Sequence, residues 1–256
     1  MLKKRIIPVL LLKNGRMVKG KKFSNFKDTG DPNTAVKIYS SQDADELMFL
    51  DINSSLLSTR QILLDTIRTA AKECNIPLSV GGGVKTTEDV REILLAGADK
   101  VVITSSIVNT PKVLEDVAKL FGSQCIVAGI DYKYNELKKY NEVWIDCGKK
   151  NTQIILDDYI KKIDNYGVGE ILLNSIDRDG EMNGYDVRNI KGIAEQTSTP
   201  VIACGGAANF NHILEIFKKT EVSAAACSSM FHFGDYNPIQ IRTYLRNQNI
   251  EMRRVK

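Results

Sequence analysis

Cysteine and histidine are scarce: the 256 residues include five Cys and two His, and no two Cys stand in C-x-x-C spacing. An odd set of scattered thiols, Cys74, Cys125, Cys147, Cys204 and Cys227, gives no basis for a disulfide framework. His212 and His232 are too few, and too far from any Cys pair, for a Cys/His zinc site. No metal and no cofactor are therefore expected. Long apolar runs are also missing, none reaching the roughly 18 residues of a membrane span. Met1-Leu2-Lys3-Lys4-Arg5 leads straight into a short apolar strand instead of a cleavable leader, so the expected location is cytoplasmic, with no membrane contact. Nor is there an excess of one charge. A net +4 spread along the chain suits a small anionic ligand and provides no basic tract for nucleic acid.

What is present is a long alternation of short β-branched runs with amphipathic segments, the pattern of βα units on a parallel sheet. Strands are predicted at 5–12, 46–52, 78–81, 100–104, 125–131, 170–174, 201–205 and 223–228. Eight such units in a chain of this length predict a single (β/α)8 TIM barrel, one domain spanning 1–256. In the segment 87–96, Val90, Ile93 and Leu94 share a helical face, and Gly97 is a stop signal. A further helix is predicted at 111–120, with Thr110 capping and Pro111 at the first helical position. The Lys- and Tyr-rich stretch 132–151 reads as a hairpin inserted after the fifth strand, and 19–32 as a loop. Insertions of this kind belong to the active face of a barrel.

The two halves repeat. Gly82-Gly83 and Ser105-Ser106 recur as Gly205-Gly206 and Ser228-Ser229 at one common offset, which predicts two half-barrels of one design. Glycines ending strands three and seven let backbone N–H groups approach an anion, and the hydroxyls ending strands four and eight donate further hydrogen bonds. One cradle in each half predicts a ligand with phosphates at both ends; alternatively these glycines only make tight turns. Asp51, Asp131, Asp177 and Asp179 close strand ends, where barrel enzymes carry their chemistry. Asp131 follows an apolar run, a setting that raises a carboxyl pKa and suits a general acid or base; the competing role is that of a brace or helix cap.

Seven segments then carry a resemblance to a known family. They are 4–8, 15–20, 45–52, 80–83, 148–152, the run Ser175-Ile176-Asp177-Arg178-Asp179-Gly180, and Phe231-His232-Phe233. In this order they resemble the HisF family, the cyclase subunit of imidazole glycerol phosphate synthase. The resemblance implies substrate or phosphate contacts at Lys19, Asp51, Gly82, Gly83, Thr104, Ser105, Asp179, Gly180, Gly205, Gly206, Ser228 and Ser229. It also implies a glutaminase partner of HisH type at the N-terminal face, and an ammonia gate formed by Arg5, Glu46, Lys100 and Glu170. Asp99 lies beside this ring as a partner contact. Of the family's two catalytic aspartates, one is matched by Asp131 and the other falls on Leu11, which cannot carry a proton. Thr104-Ser105 stands where the family has Asn-Thr, and Asn174 and Cys204 replace small hydroxyl residues.

Three functions follow from the resemblance. The first is the family's cyclase, joining ammonia to the formimino-linked ribulosyl bisphosphate intermediate in histidine biosynthesis. The second is a paralogue that supplies ammonia for acetamidino modification of a nucleotide sugar, with a third amidotransferase protein; relatives of that kind share Leu-Leu-Leu-Lys after the first strand. Leu11 tilts the sequence reading to the second. The third is a scaffold that activates a glutaminase without conducting ammonia.

Overall fold

In the computed structural model, which describes residues 3–53 and 57–253, the chain alternates strands and helices throughout. Strand β1 (Arg5–Lys13) is followed by a hairpin, β2 (Arg16–Lys21) and β3 (Ser24–Gly30), then α1 (Pro32–Ser41), β4 (Leu47–Asp51) and α2 (Leu57–Glu73). Next come β5 (Leu78–Gly81), α3 (Thr87–Ala96), β6 (Lys100–Ile103), a short α4 (Ser105–Asn109) and α5 (Lys112–Phe121). The second half runs β7 (Ile126–Asn135), β8 (Tyr140–Ile145), β9 (Lys150–Ile155), α6 (Leu156–Asp164), β10 (Glu170–Ser175) and α7 (Val187–Gln196). It ends with β11 (Val201–Cys204), α8 (Phe210–Lys219), β12 (Ala224–Cys227), a short α9 (Ser229–Phe233) and α10 (Pro238–Asn247).

Strands β1, β4, β5, β6, β7, β10, β11 and β12 pair in parallel, each with the next, and β12 pairs with β1 to close the sheet. The result is a (β/α)8 barrel. Its period-two alternation separates two apolar layers. Ile6, Leu10, Phe49, Ile103 and Ile171 face the surrounding helices, whereas Ile7, Val9, Met48, Val102, Val127 and Leu172 fill the lumen. Lumen-facing parity therefore fixes the two ends. Two residues before the lumen plug come Arg5, Glu46, Lys100 and Glu170; two residues beyond it come Leu11, Leu50, Thr104 and Asn174.

Local signals explain some of the helix ends. Thr86 caps α3 in a capping box with Asp89, and Gly97 ends it in the left-handed region. Helix α5 departs from the sequence prediction: Thr110 gives its N–H to Ser106 at the end of α4, and Pro111 is the cap residue with no side-chain bond. The half-barrel repeat also shifts. Strands β5 and β11 keep the expected offset, but one more residue precedes β12, so Thr104 is matched by Ser228 and Ser105 by Ser229. The predicted loop 19–32 is mostly a hairpin, β2 with β3, held by antiparallel pairing. The insertion after β7 is the expected hairpin, extended by a third strand, β9, in antiparallel pairing. Among the described residues, no helix is long and apolar enough to cross a membrane.

Candidate functional site

At the C-terminal end of the strands, Asp131 lies next to Asn174 in the sheet register, and Asn174 next to Cys204. Asn174 Nδ2 donates to Asp131 Oδ1 at 2.9 Å. Asp131 opens partly to the mouth but is otherwise enclosed by protein. Burial, reinforced by the charge of Asp179 and only partly offset by Asn174, pushes its pKa up to about 7. A carboxyl poised there can both take and give a proton near neutrality. Across the mouth, on β1, stands Leu11, packed with Leu50 against the top of the lumen cluster.

The hairpin β2/β3 contributes more to the mouth than its sequence suggested. Lys19 is 2% exposed and its Nζ sits 2.5 Å from Asp179 Oδ1. The Lys22 N–H donates to the Asp179 carbonyl at 2.8 Å, and Gly180, at φ +73°, packs so closely that a Cβ there would meet the Gly20 carbonyl oxygen at 2.4 Å. The hairpin is thereby clamped over the β10–α7 loop. Behind Lys19 lies His232 on α9, which burial first, and the Lys19 charge second, push down to about 4, so its ring is neutral at pH 7.

The glycine turns differ in what they touch. Gly82 and Gly83 both take positive φ after β5. Gly206, at φ +105°, sits so close to the α7 side of the rim that a Cβ would lie 2.1 Å from the Gly184 carbonyl oxygen. Gly205 faces the Ser175 carbonyl and Asn174 Oδ1. Ser105 Oγ accepts from the Asp146 N–H at 2.9 Å, which ties α4 to the turn between β8 and β9. Asp51 ends β4 buried, accepting from the Asn53 N–H at 2.7 Å. Asp177 accepts from the Tyr134 N–H at 2.8 Å and braces the β7–β8 hairpin.

Among the described residues, the buried polar atoms that lack a hydrogen-bond partner include Asn174 Oδ1, Asp179 Oδ2, Ser228 Oγ and His232 Nε2. They come from β10, the loop after it, the β12–α9 turn and α9, which is one side of the rim. Buried polar groups are ordinarily paired, so their concentration marks a surface shaped for a polar ligand. Sequence reasoning singled out Asp179 and Ser228 but not His232, whose only signal was its place in the Phe231-His232-Phe233 segment.

The opposite end carries a closed ring of charge. Arg5 Nη1 lies 3.0 Å from Glu46 Oε2, and Lys100 Nζ lies 2.8 Å from Glu46 and 2.6 Å from Glu170. Arg5 also pairs with Glu170, completing the alternation. Ser79 Oγ donates to Glu46 Oε1 at 2.6 Å. Burial alone would push Glu170 up, but Arg5 and Lys100 together hold it below the usual carboxylate range. Asp99, expected as a partner contact, accepts from the Leu78 N–H at 2.8 Å and so braces the start of β5. Hollows of about 200 and 520 Å³ open at this same end and share Lys4 and Glu221.

Fold and ends together define the class: a (β/α)8 barrel built of two like halves, with a polar mouth at the strand C-termini and a paired ring of charge at the floor. The model of the family described as "Histidine biosynthesis protein" matches residues 5–237. Among curated relatives, the imidazole glycerol phosphate synthase subunit HisF of Lactococcus lactis subsp. cremoris is 43% identical over 256 residues, all of this chain and 98% of that one. The proteins of the same name from Bacillus pumilus and Methanococcus vannielii are 44% and 41% identical, each over 99% of this chain and 100% of their own. The chain belongs to the HisF family.

Proposed function

We propose that this chain is the ammonia-using subunit of an imidazole glycerol phosphate synthase, working with a glutaminase docked on the floor of the barrel. The single observation that carries the reading is Asp131, a buried carboxyl poised near neutrality at the strand end where the family places an acid–base group. The names of the relatives favour the cyclase over the surface-sugar reading. In this account Gly82, Gly83, Thr104 and Ser105 hold one phosphate, and Gly180, Gly205, Gly206, Ser228 and Ser229 hold the other. Lys19 and Asp179 exchange their mutual pair for contacts with the substrate, and Asp51 shapes the rim. The ring Arg5, Glu46, Lys100 and Glu170 gates ammonia into the apolar lumen.

Leu11 limits this chemistry: one strand-end carboxyl must serve where the family uses two, so proton transfer falls to Asp131 and turnover is slow. The same residue favours a second reading, in which the gate and docking are retained and ammonia passes, with a third protein, to a nucleotide sugar. Co-purification with a HisH-type glutaminase tests both. With glutamine and the ribulosyl bisphosphate intermediate, the cyclase reading expects imidazole glycerol phosphate in step with glutamate. Glutamate release without that product, and amidation of a nucleotide sugar once a third protein is added, supports the second. A pure scaffold would be indifferent to Glu46→Ala, whereas a gate would uncouple glutamine hydrolysis from product.

A further inference from the structure

We infer that Arg60, in the helix layer outside the barrel, is a positioning residue for anion binding at the mouth: its guanidinium draws the Gly82 carbonyl outward and so keeps the Gly83 N–H turned toward a phosphate. The inference rests on the proposed phosphate contact at Gly82, Gly83, Thr104 and Ser105. The latch itself rests on geometry.

Arg60 lies on α2 and reaches across to the top of α3, with its side chain only 12% exposed. One Nη donates to the Gly82 carbonyl at 3.2 Å and the other to the Asp89 carbonyl at 2.9 Å. The Asp89 and Glu92 carboxylates, each 3.5 Å from the guanidinium, balance its charge. A trans peptide sets its C=O and N–H on opposite sides, so with the Gly82 carbonyl drawn to the helix layer the Gly83 N–H points inward. The turn's own backbone does not enforce this. Gly82 and Gly83 take φ +134° and +64°, and glycine enters either sign of φ about equally, so the peptide between them can flip at little cost. Flipped, it would present a carbonyl to an anion where a donor is needed. The neighbouring donors are already committed: the Lys85 and Thr86 N–H groups both go to the Asp89 carboxylate in the α3 cap. Among the described residues, the Gly83 and Val84 N–H groups have no protein acceptor. Ser106 Oγ donates to the Val84 carbonyl at 2.6 Å and fixes the turn from the far side. In the other half a glycine-turn carbonyl is likewise taken up, but by backbone: Gly206 accepts from the Gly184 N–H at 2.8 Å. The first cradle depends on a charged side chain where the second uses the main chain.

The test is titration of the isotope-labelled chain with inorganic phosphate, following the backbone amides of Gly83 and Gly206 by NMR. In the parent both should shift saturably. Arg60→Met, which keeps the stem of the side chain and removes its donors, should weaken the Gly83 response about tenfold or more, the loss of one charged hydrogen bond, and leave that of Gly206 within about twofold. Arg60→Lys, with a single ammonium in place of the fork, should recover part of the Gly83 response. Glu92→Gln, which removes a charge from the α2–α3 contact but not the bond to Gly82, should bind like the parent. If the methionine variant fails to fold, Arg60→Lys carries the test, with a loss of about threefold at Gly83 alone. An unchanged Gly83 response in a folded Arg60 variant, or equal losses at Gly83 and Gly206, overturns the proposal. Failure of the phosphate reading looks different: the parent's own Gly83 amide ignores phosphate, which overturns the role of Arg60 in binding even where Arg60→Met still moves the Gly82 carbonyl-carbon signal.

Discussion

Glu46→Ala is the sharpest probe of the floor. Glu46 is 1% exposed and receives Arg5, Lys100 and Ser79. Without it, two cations face Glu170 alone, at side-chain exposures of 12% and 18%. Removing one partner of a buried ion pair costs about 3–5 kcal/mol. The ring is reached by some solvent, so the low end applies, about 3 kcal/mol. At roughly 2–4 °C per kcal/mol for a chain of this size, the melting temperature should fall by about 6–12 °C. Thermal unfolding at pH 7 measures the shift and urea unfolding the free-energy loss, with Glu46→Gln, which keeps a hydrogen bond to Ser79, losing less. The pH dependence has a definite sign. Glu170 is held below its unfolded value, so its stabilisation is complete above that value, near pH 4.3–4.5, and is lost as pH falls through the lower folded pKa. A Glu46→Ala protein within about 0.5 kcal/mol of the parent, a surface-like change, would refute the paired-ring reasoning.

At the mouth, Asp131→Asn should lower turnover by about 10²–10⁴-fold and remove a pH–rate limb near pH 7, read from kcat/KM across pH. The same group has a raised folded pKa, so its protonated form favours folding at low pH and that advantage disappears as pH rises through about 7; Asp131→Asn should therefore gain stability relative to the parent at pH 8 but not at pH 4, by urea unfolding. Gly206→Ala places a methyl against the Gly184 carbonyl at positive φ, and should cost about 1–3 kcal/mol while weakening inorganic phosphate binding, measured by calorimetry.

The barrel was legible because short β-branched runs alternate with amphipathic segments whose helices carry stops, as at Gly97; the end of an apolar run pointed to Asp131, and the resemblance pointed to Arg5, Glu46, Lys100 and Glu170 at strand starts. What escaped was set by contacts distant in sequence. Ser24–Gly30 is mostly exposed and lacks apolar alternation, so β3 left no strand signal. Lys19 meets Asp179 across 160 residues, which no local pattern encodes. Asp177 read as chemistry because a strand-end carboxylate can serve either role, and its Tyr134 N–H partner shows it as a brace. Asn174 and His232 were visible as residues, but their unpaired atoms exist only in three dimensions.

The central claim, that this is a cyclase subunit slowed by Leu11, is tested most directly by turnover of the ribulosyl bisphosphate intermediate with ammonium chloride, comparing the purified chain with Leu11→Asp. The parent should form imidazole glycerol phosphate slowly, and Asp131→Asn should abolish that formation. Leu11→Asp, in which a second carboxyl faces Asp131 across the mouth, should gain about 10²–10⁴-fold. Absence of product from both proteins, with both folded and binding phosphate, would contradict it and leave the nucleotide-sugar reading in its place.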